Sequence, residues 1–388
     1  MTSGPGTVVL YRGHSDYESV GTMVRDLAAA FARSGLNPVL LDLRAPDCVA
    51  QAVRLARGGD VRFFLSLNGY GIPAPGQGAG FYAETATPVL VYFVDHPAYH
   101  HKTIRAALPH FAVSFATVSE VLFCRHAVRR DIPVSHLPHA AEPLEEAPLA
   151  WETRDLPLLL SASLHGEPEA LRARWRDHGA TVEQALNNIV AEYDLSPRVP
   201  LDETMTRVLG RDDLPIEVLA SFFATADIFI RSRARRDLVL ALSDLPLTVC
   251  GRGWEGIAAL CAAQDKRARF LPAQDAPAAM AMMRRAKLVL NPMPPYYDSH
   301  ERPFQAMAAG AVAVVGPGNL FDAPPFEDAV LTMPVEPRAA ADIISAALAD
   351  ETRLPAIACA GMRLQKAAHT WDHRAATLLD LAPSLASR

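Results

Sequence analysis

The sequence predicts an α/β protein of two domains, each built on a parallel sheet with helices on both faces. Short continuous apolar runs alternate with stretches of helical spacing, which is typical of strands that are buried on both faces. The length of 388 residues suits two domains, since one domain takes roughly 100–200 residues. An apolar fraction of 50% is enough for a core in each and excludes an intrinsically disordered chain.

The first 140 residues predict five strands separated by helices, and a short further strand near Pro133. Ser19–Ser34 places apolar side chains at helical spacing and is followed by Gly35, and Ala50–Arg57 predicts a second, short helix. The loop Gly69–Gly80 lies after a strand, where doubly wound sheets bind ligands, although a plain surface loop is the alternative. The predicted strands are Thr7–Tyr11, Pro38–Leu43, Val61–Leu67, Pro88–Val94 and Phe111–Thr117.

The stretch Glu142–Trp151 is acidic, contains proline and has no periodicity, so we expect the domain boundary there. Beyond it the strand pattern returns, interrupted by a helical stretch that is longer than one crossover needs. The predicted strands are Leu156–Ser161, Leu247–Cys250, Arg269–Leu271, Leu288–Asn291 and Ala311–Val315. The predicted helices are Pro168–Asp177, Val182–Tyr193, Leu201–Val208, Pro215–Ala224, Ile228–Leu242, Ala276–Ala286, Pro303–Ala309, Arg338–Asp350 and Leu354–Leu381.

Charge and cysteine usage exclude several classes of protein. Lys and Arg number 37 against 43 for Asp and Glu, a net charge of −6, whereas nucleic-acid binders usually carry a basic excess. The five cysteines form no C-x-x-C pair, so neither a structural zinc site nor a disulfide framework is expected. We expect a bacterial, cytoplasmic protein without signal peptide or transmembrane segment; peripheral membrane contact stays open.

Missing motifs narrow the chemistry further. The chain has no P-loop, no G-x-S-x-G, and no G-x-G-x-x-G after its first strand, which speaks against common NTPases, hydrolases and dehydrogenases. It also lacks D-x-D, the paired carboxylates that hold a divalent ion on a diphosphate.

The segment Leu290–Gly316 carries the most specific pattern in the chain. A proline-rich loop leads through His300, Glu301 and Arg302 into a helix of small residues with Gln305, and an apolar strand follows. A helix N-terminus binds anions, His300 and Arg302 could add positive charge for a diphosphate, and Glu301 could accept hydrogen bonds from sugar hydroxyls. Spacing alone equally allows an ordinary amphipathic helix after a loop.

Four further segments lie in a fixed order around this pattern: Leu137–Ala141, Leu247–Trp254, Phe270–Pro272 and His369–Arg374. Together with Leu290–Gly316 they resemble the donor-binding half of GT-B glycosyltransferases. The His-Glu-Arg sequence before the helix is similar to the spore-maturation type of glycosyltransferase family 1/4-like proteins. The resemblance is strong over residues 247–375 and much weaker over residues 1–130.

The resemblance implies two Rossmann-like domains that face each other across a cleft. They would comprise residues 1–145, for the acceptor, and residues 146–368, for the nucleotide sugar, with the helical insertion at about 166–243. The final helix, 369–388, would return to the first domain. The implied donor residues are Arg252, Gly253, Leu271 through its backbone, His300, Glu301, Arg302 and Gln305.

The implied reaction is metal-independent transfer of a sugar, with UDP-sugar as the default donor and no cofactor. The acceptor is a glycan, a lipid-linked glycan, a protein or a small metabolite. A nucleotide-sugar 2-epimerase of the same double fold and a non-catalytic nucleotide-sugar-binding protein are the alternatives. Gln305 stands where many relatives carry a ribose-binding glutamate, and the first glutamate of their E-x7-E pair falls at Tyr297, so the role of Glu301 differs from the common pattern.

The acceptor side is predicted from strand-end residues of the first domain. Asp95 and His96 follow the fourth strand, and His14 follows the first, so each is a candidate for the base that deprotonates the acceptor. Structural turns are the alternative in both places, and a metal site is a minor one at the histidines near Asp95. Candidate acceptor-binding residues are Gly13, Asn68 and Gly69. The basic run Arg231–Arg236 is interpreted as a solvated helix face, with a phosphate or membrane-surface role as the alternative.

Overall fold

The computed structural model describes residues 6–14, 18–73, 80–106, 108–211, 213–318 and 320–382. The chain divides into two compact units, the first of residues 1–142 with 369–388 and the second of residues 143–368. Each unit contains one six-stranded sheet in which every strand pair is parallel. The predicted α/β class with two parallel sheets is therefore confirmed.

The first unit alternates strands and helices up to residue 136. Its strands are β1 Thr7–Arg12, β2 Asn37–Asp42, β3 Val61–Leu67, β4 Val89–Phe93, β5 Phe111–Phe115 and β6 Val134–His136. Its helices in this stretch are α1 Ser19–Arg33, α2 Cys48–Arg57, α3 Phe81–Thr85, α4 Pro97–Ile104 and α5 Val118–Phe123, which a π-helical turn extends to Val128. The spatial order of the strands is β2-β1-β3-β4-β5-β6.

The second unit repeats the architecture with an insertion. Its strands are β7 Leu156–Ser161, β8 Leu247–Cys250, β9 Arg269–Leu271, β10 Ala286–Asn291, β11 Val312–Val315 and β12 Val330–Thr332. Its helices are α6 Pro168–Ala173, α7 Ala180–Leu195, α8 Leu201–Leu209, α9 Ile216–Ala241, α10 Glu255–Ala263, α11 Ala276–Arg285, α12 Glu301–Ala308, α13 Pro337–Ala349 and α14 Leu354–Ala368. The strand order is β12-β11-β10-β7-β8-β9, and α6 to α9 form the predicted helical insertion between β7 and β8.

Two helix predictions were wrong in their boundaries. The two predicted helices Pro215–Ala224 and Ile228–Leu242 form the single 26-residue helix α9. Asp227, in the predicted gap between them, is buried and paired with Arg231 one turn later. The closing helix, predicted from Leu354 to Leu381, is broken at Ala368. A capping box between Thr370 and His373 starts the separate helix α15, Trp371–Leu381.

Helices α3, α4, α5 and α10 and the strand β12 were not predicted. For α4 and α5 the sequence does carry a signal. His96 caps α4 with Pro97 in its first turn, and Thr117 with Glu120 forms a complete capping box at α5. Among the described residues, no helix is both long and apolar enough to cross a bilayer.

Helix α15 packs on α1, so the end of the chain completes the core of the first unit. Trp371 is 1% exposed in the same apolar cluster as Leu27 and Phe31 of α1, and Arg33 forms an ion pair with Asp372 at 2.7 Å. Arg374 donates hydrogen bonds to the carbonyl oxygens of Pro138 and His139, within the segment Leu137–Ala141.

We expect Trp371→Ala to lower the free energy of unfolding by about 3–5 kcal/mol, because it empties a buried indole site. Urea unfolding followed by circular dichroism measures the change. Asp372→Ala, which breaks only the exposed ion pair at the neighbouring position, should cost under about 1 kcal/mol. Equal losses in the two variants would show that α15 is not part of this core.

Candidate functional site

The second sheet reverses its strand order between β7 and β10, whose carboxyl ends lie side by side. Ligands of open parallel sheets bind beyond the carboxyl ends at such a reversal. Here two segments frame that place: the loop after β7, residues 162–166, and the loop after β10, residues 292–299, which we call the donor loop. Helix α12, with the predicted donor residues at its N-terminus, follows the donor loop directly.

The first predicted donor segment, Gly251–Gly253, runs beside the loop that follows β7. The N–H of Leu164 donates to the carbonyl of Arg252 at 2.9 Å, and the N–H of Arg252 donates to the Ser163 hydroxyl at 3.1 Å. A Cβ on Gly253 would overlap the carbonyl oxygen of Leu164, and its φ is +80°. Glycine is therefore required here for a close approach of two backbones as well as for its conformation.

Arg302 was expected to supply charge to a diphosphate directly, but its guanidinium points into the fold. Its Nε donates to the carbonyl of Ser161 at 2.8 Å and its Nη1 to Oδ1 of Asn291 at 2.7 Å, so it joins the last residues of β7 and β10. Burial lowers the pKa of Arg302, and the neighbouring Glu301 carboxylate counteracts this. Arg302 is thus a bridge between the two strand ends.

The expectation that Arg231–Arg236 is a solvated helix face is wrong for Arg231 and Arg235. Arg235 is 5% exposed, and its Nη1 donates to the carbonyl of Ser163 at 2.7 Å while its Nη2 lies 3.5 Å from Sδ of Met293. Burial, together with the positive charges of Arg231 and Arg302, lowers the pKa of Arg235 to about 9. Like Arg302, this arginine joins the loop after β7 to the donor loop.

The remaining donor candidates lie around the same edge. His300 caps α12: its Nδ1 accepts from the N–H of Arg302, and its Nε2 lies 3.2 Å from Oε2 of Glu301. Gln305 is half-buried in the next turn, Arg252 is exposed, and Leu271 ends β9 with its side chain partly exposed. The structure therefore places all seven predicted donor residues at the carboxyl edge of one sheet or in the helix that follows it.

In the first unit the strand order reverses between β1 and β3. Gly13 and His14 follow β1, and Tyr70 of the loop after β3 closes over them. The Tyr70 ring lies 2.6 Å from where a Cβ of Gly13 would be, and its hydroxyl donates to the carbonyl of His14 at 2.8 Å. Ser15 and Asp16, and residues 74–79 of the predicted glycine loop, lie outside the described residues.

Asn68 connects this edge to the end of β4. Its Oδ1 accepts from the N–H of Val94 at 2.9 Å, and its Nδ2 donates to Oδ2 of Asp95 at 2.8 Å. Its φ of +52° is uncommon outside glycine and is tolerated best by asparagine and aspartate. Asp95 keeps 54% of its side chain exposed, with Nε2 of His100 3.8 Å from Oδ2. Asn68 is therefore placed to orient this carboxylate.

His96, the first choice for the base, is buried. Its Nδ1 accepts a hydrogen bond from the N–H of Ala98 at 3.2 Å, and its ring packs 4.8 Å from that of Phe123. Burial, with a smaller contribution from His100, holds the pKa of His96 well below its usual range. The geometry makes His96 a neutral cap of α4, whereas Asp95 remains accessible.

The sequence analysis named Arg302 and the run that contains Arg235, but it did not predict that they join the loops. Asn291 and Arg235 act through partners between 11 and 72 residues away, so no local pattern marks them. Among the described residues, no group of three His, Cys, Asp or Glu side chains is arranged to hold a metal ion.

We expect Gly253→Ala to destabilise the protein by about 1–3 kcal/mol more than Gly210→Ala, because it adds a backbone overlap to the cost of the conformation. Gly210 also has a positive φ, +64°, but an added Cβ there would meet nothing within 4 Å. Its replacement should cost only the conformational term of about 1–2 kcal/mol. Chemical unfolding measures both, and equal losses would contradict the close approach at Gly253.

Glu120 predicts a pH dependence. It is buried, accepts the Thr117 N–H in the capping box, and burial raises its pKa to about 8. An unfolded glutamate ionises at about pH 4.3, so the folded state holds the extra proton between these values and stability falls as pH rises. The free energy of unfolding of the wild type, measured in urea relative to that of Glu120→Gln, should fall from pH 5 to pH 9. A difference that is constant with pH would contradict this.

Comparison with known proteins gives a family match for part of the chain and the fold of the whole. Residues 231–380 match the family model described as Glycosyl transferase-like, and a search of curated proteins gives no significant match. Sucrose-phosphate synthase from Thermosynechococcus elongatus is similar with 14% identity, TM-score 0.57, and coverage of 98% of this chain and 99% of that one. HepE from Anabaena, in complex with UDP and glucose, has 12% identity, TM-score 0.53, and coverage of 98% and 100%.

A third similar structure is AviGT4, a glycosyltransferase involved in avilamycin A biosynthesis, with 13% identity, TM-score 0.55, and coverage of 99% of this chain and 98% of that one. These identities are too low to carry substrate or acceptor across, but they agree on the architecture. Residues 231–380 are a glycosyl transferase-like domain, and the chain as a whole has the GT-B fold of glycosyltransferases.

Proposed function

We propose that this glycosyltransferase transfers a sugar from a nucleotide-diphosphate sugar, with UDP as the favoured nucleotide, to an acceptor hydroxyl without a divalent metal ion. The similarity to HepE, whose structures hold UDP and UDP-glucose, supports UDP. The observation that carries the proposal is the reversal between β7 and β10. There two loops are held together by buried arginines directly before the N-terminus of α12.

The donor diphosphate would lie at this N-terminus. The dipole of α12 favours an anion at its N-terminus, and Arg302, Arg235 and Arg231 add positive potential from beneath the loop. Arg252, which is exposed, is the residue we assign to direct contact with the phosphates. Glu301 would accept hydrogen bonds from the sugar, with His300 fixing the orientation of its carboxylate.

Asp95 is the residue we assign as proton acceptor in the first unit. As the acceptor oxygen bonds to the anomeric carbon, the bond from that carbon to the diphosphate oxygen breaks, and the hydroxyl proton passes to the Asp95 carboxylate. The exposed carboxylate and its hydrogen bond from Asn68 suit this role. His96 supports it indirectly, as the cap of the helix that begins beside Asp95.

A thermal-shift panel with UDP, GDP, CMP and dTDP and their common sugars tests the donor site. A ligand at about 100 times its Kd adds about 2.7 kcal/mol, which gives a readable shift. We expect one nucleotide family to stabilise the wild type, and Glu301→Ala to lose the additional shift given by the sugar. Glu203→Ala, in the first turn of α8, is the control that should behave as wild type. No shift with any nucleotide would overturn the proposal.

Asp95→Asn should lower donor turnover by about 10²- to 10⁴-fold, the usual contribution of a positioned base. Turnover is measured as the release of nucleoside diphosphate, with water or a screened compound as the acceptor. The Kd of the nucleotide, measured by calorimetry, should not change. Asp131→Asn, an exposed carboxylate of the same unit that pairs with Arg129, should keep the wild-type rate. Unchanged turnover in Asp95→Asn would remove Asp95 as the base.

A further inference from the structure

The donor loop contains Pro292, Pro294 and Pro295, and proline has no backbone N–H. The loop therefore has few donors with which to join a neighbouring strand. Side chains of helix α9, in the insertion, hold it instead. Besides the contact of Arg235 with Met293, the structure shows a second attachment further along the loop, centred on Asp227.

Asp227 is completely buried in the middle of α9, and both of its oxygens are engaged. Oδ1 accepts the hydroxyl of Tyr296 at 2.8 Å, and Oδ2 lies 2.8 Å from Nη2 of Arg231. The Tyr296 ring packs edge-on against Tyr193 of α7 at 5.7 Å and against Phe223 of α9 at 6.4 Å. Burying a carboxylate costs desolvation free energy that its hydrogen-bond and ion-pair partners must offset. The Asp227 carboxylate therefore depends on Tyr296 of the donor loop, and the position of the donor loop depends on Asp227.

Through Arg231 the same carboxylate reaches the next residue of the loop. The guanidinium of Arg231 lies over the ring of Tyr297, 5.7 Å from its centroid. Tyr297 occupies the position at which related transferases carry the first glutamate of their paired motif, three residues before His300. The end of the donor loop, which leads into the Glu301 that we assign to the sugar, is thus set by a residue of the helical insertion.

We propose that Asp227 is a positioning residue that sets the sugar-binding part of the donor loop through Tyr296 and Arg231. It does not touch the donor itself. The proposal rests on the donor site proposed above, and it assigns to the helical insertion a part in donor recognition. Its consequence is specific: losing Asp227 weakens the hold on the sugar while leaving in place the segment Gly251–Gly253, which carries the Arg252 that we assign to the phosphates.

The test compares, by calorimetry, the Kd of a nucleoside diphosphate with the Kd of its glucose ester. The pair is UDP and UDP-glucose, or the corresponding pair with another base if that base is the one the wild type binds. Asp227→Asn should raise the Kd of the sugar nucleotide by about 10- to 100-fold, the scale of a misplaced group, while the Kd of the diphosphate changes less than about twofold. A role in folding alone would lower thermal stability without changing this ratio.

Glu351→Gln is the matched control. Glu351 also accepts from an aromatic side chain, Nε1 of Trp151 at 2.9 Å, and pairs with a cation, Lys287 at 2.6 Å, but at the amino end of β10. It should lose stability and keep the wild-type ratio. Tyr296→Phe removes only the hydroxyl and should shift the ratio in the same direction as Asp227→Asn, so it decides the question if Asp227→Asn does not fold.

An unchanged ratio in a folded Asp227→Asn or Tyr296→Phe variant overturns the proposal, as does an equal change in Glu351→Gln. Failure of the wild type to bind any nucleotide would instead overturn the donor site, and this inference with it. The two failures are distinguishable because the wild-type measurement comes first.

Discussion

Two buried guanidiniums join the loops that follow β7 and β10, and the candidate donor site depends on them. Arg302 bridges Ser161 and Asn291, and Arg235 bridges Ser163 and Met293. A buried cation is costly, and removing one of its partners typically costs about 3–5 kcal/mol. The arginines therefore fix the positions of the carbonyl and amide oxygens near these strand ends, and those oxygens in turn hold the arginines.

This arrangement gives the helical insertion of the second unit a structural role. A loop rich in proline cannot extend the sheet through its backbone, so it needs side chains to hold it. Helix α9 crosses beneath the donor loop and supplies them from three positions one turn apart, at residues 227, 231 and 235. The spacing of four residues places all three on one face of the helix, so a single rigid element sets the loop along its length.

The strands could be predicted because they depend on local sequence. The run Val89–Phe93 is apolar over its whole length and every residue in it is buried, since a parallel strand is covered on both faces. Arg231–Arg236 could not be interpreted correctly, because a run of arginines looks the same in sequence whether it faces water or a strand end. The burial of Arg235 depends on Ser163, 72 residues away. His96 was overvalued for a related reason: its role as a cap is local, but its burial comes from packing against Phe123.

Hydrogen exchange with and without UDP tests most directly whether the reversal between β7 and β10 is the donor site. The account predicts slower exchange on binding in three segments, residues 161–166, 250–254 and 291–302, which the buried arginines and the Gly251–Gly253 contact join. Protection that appears elsewhere in the chain and leaves these three segments unchanged would contradict it.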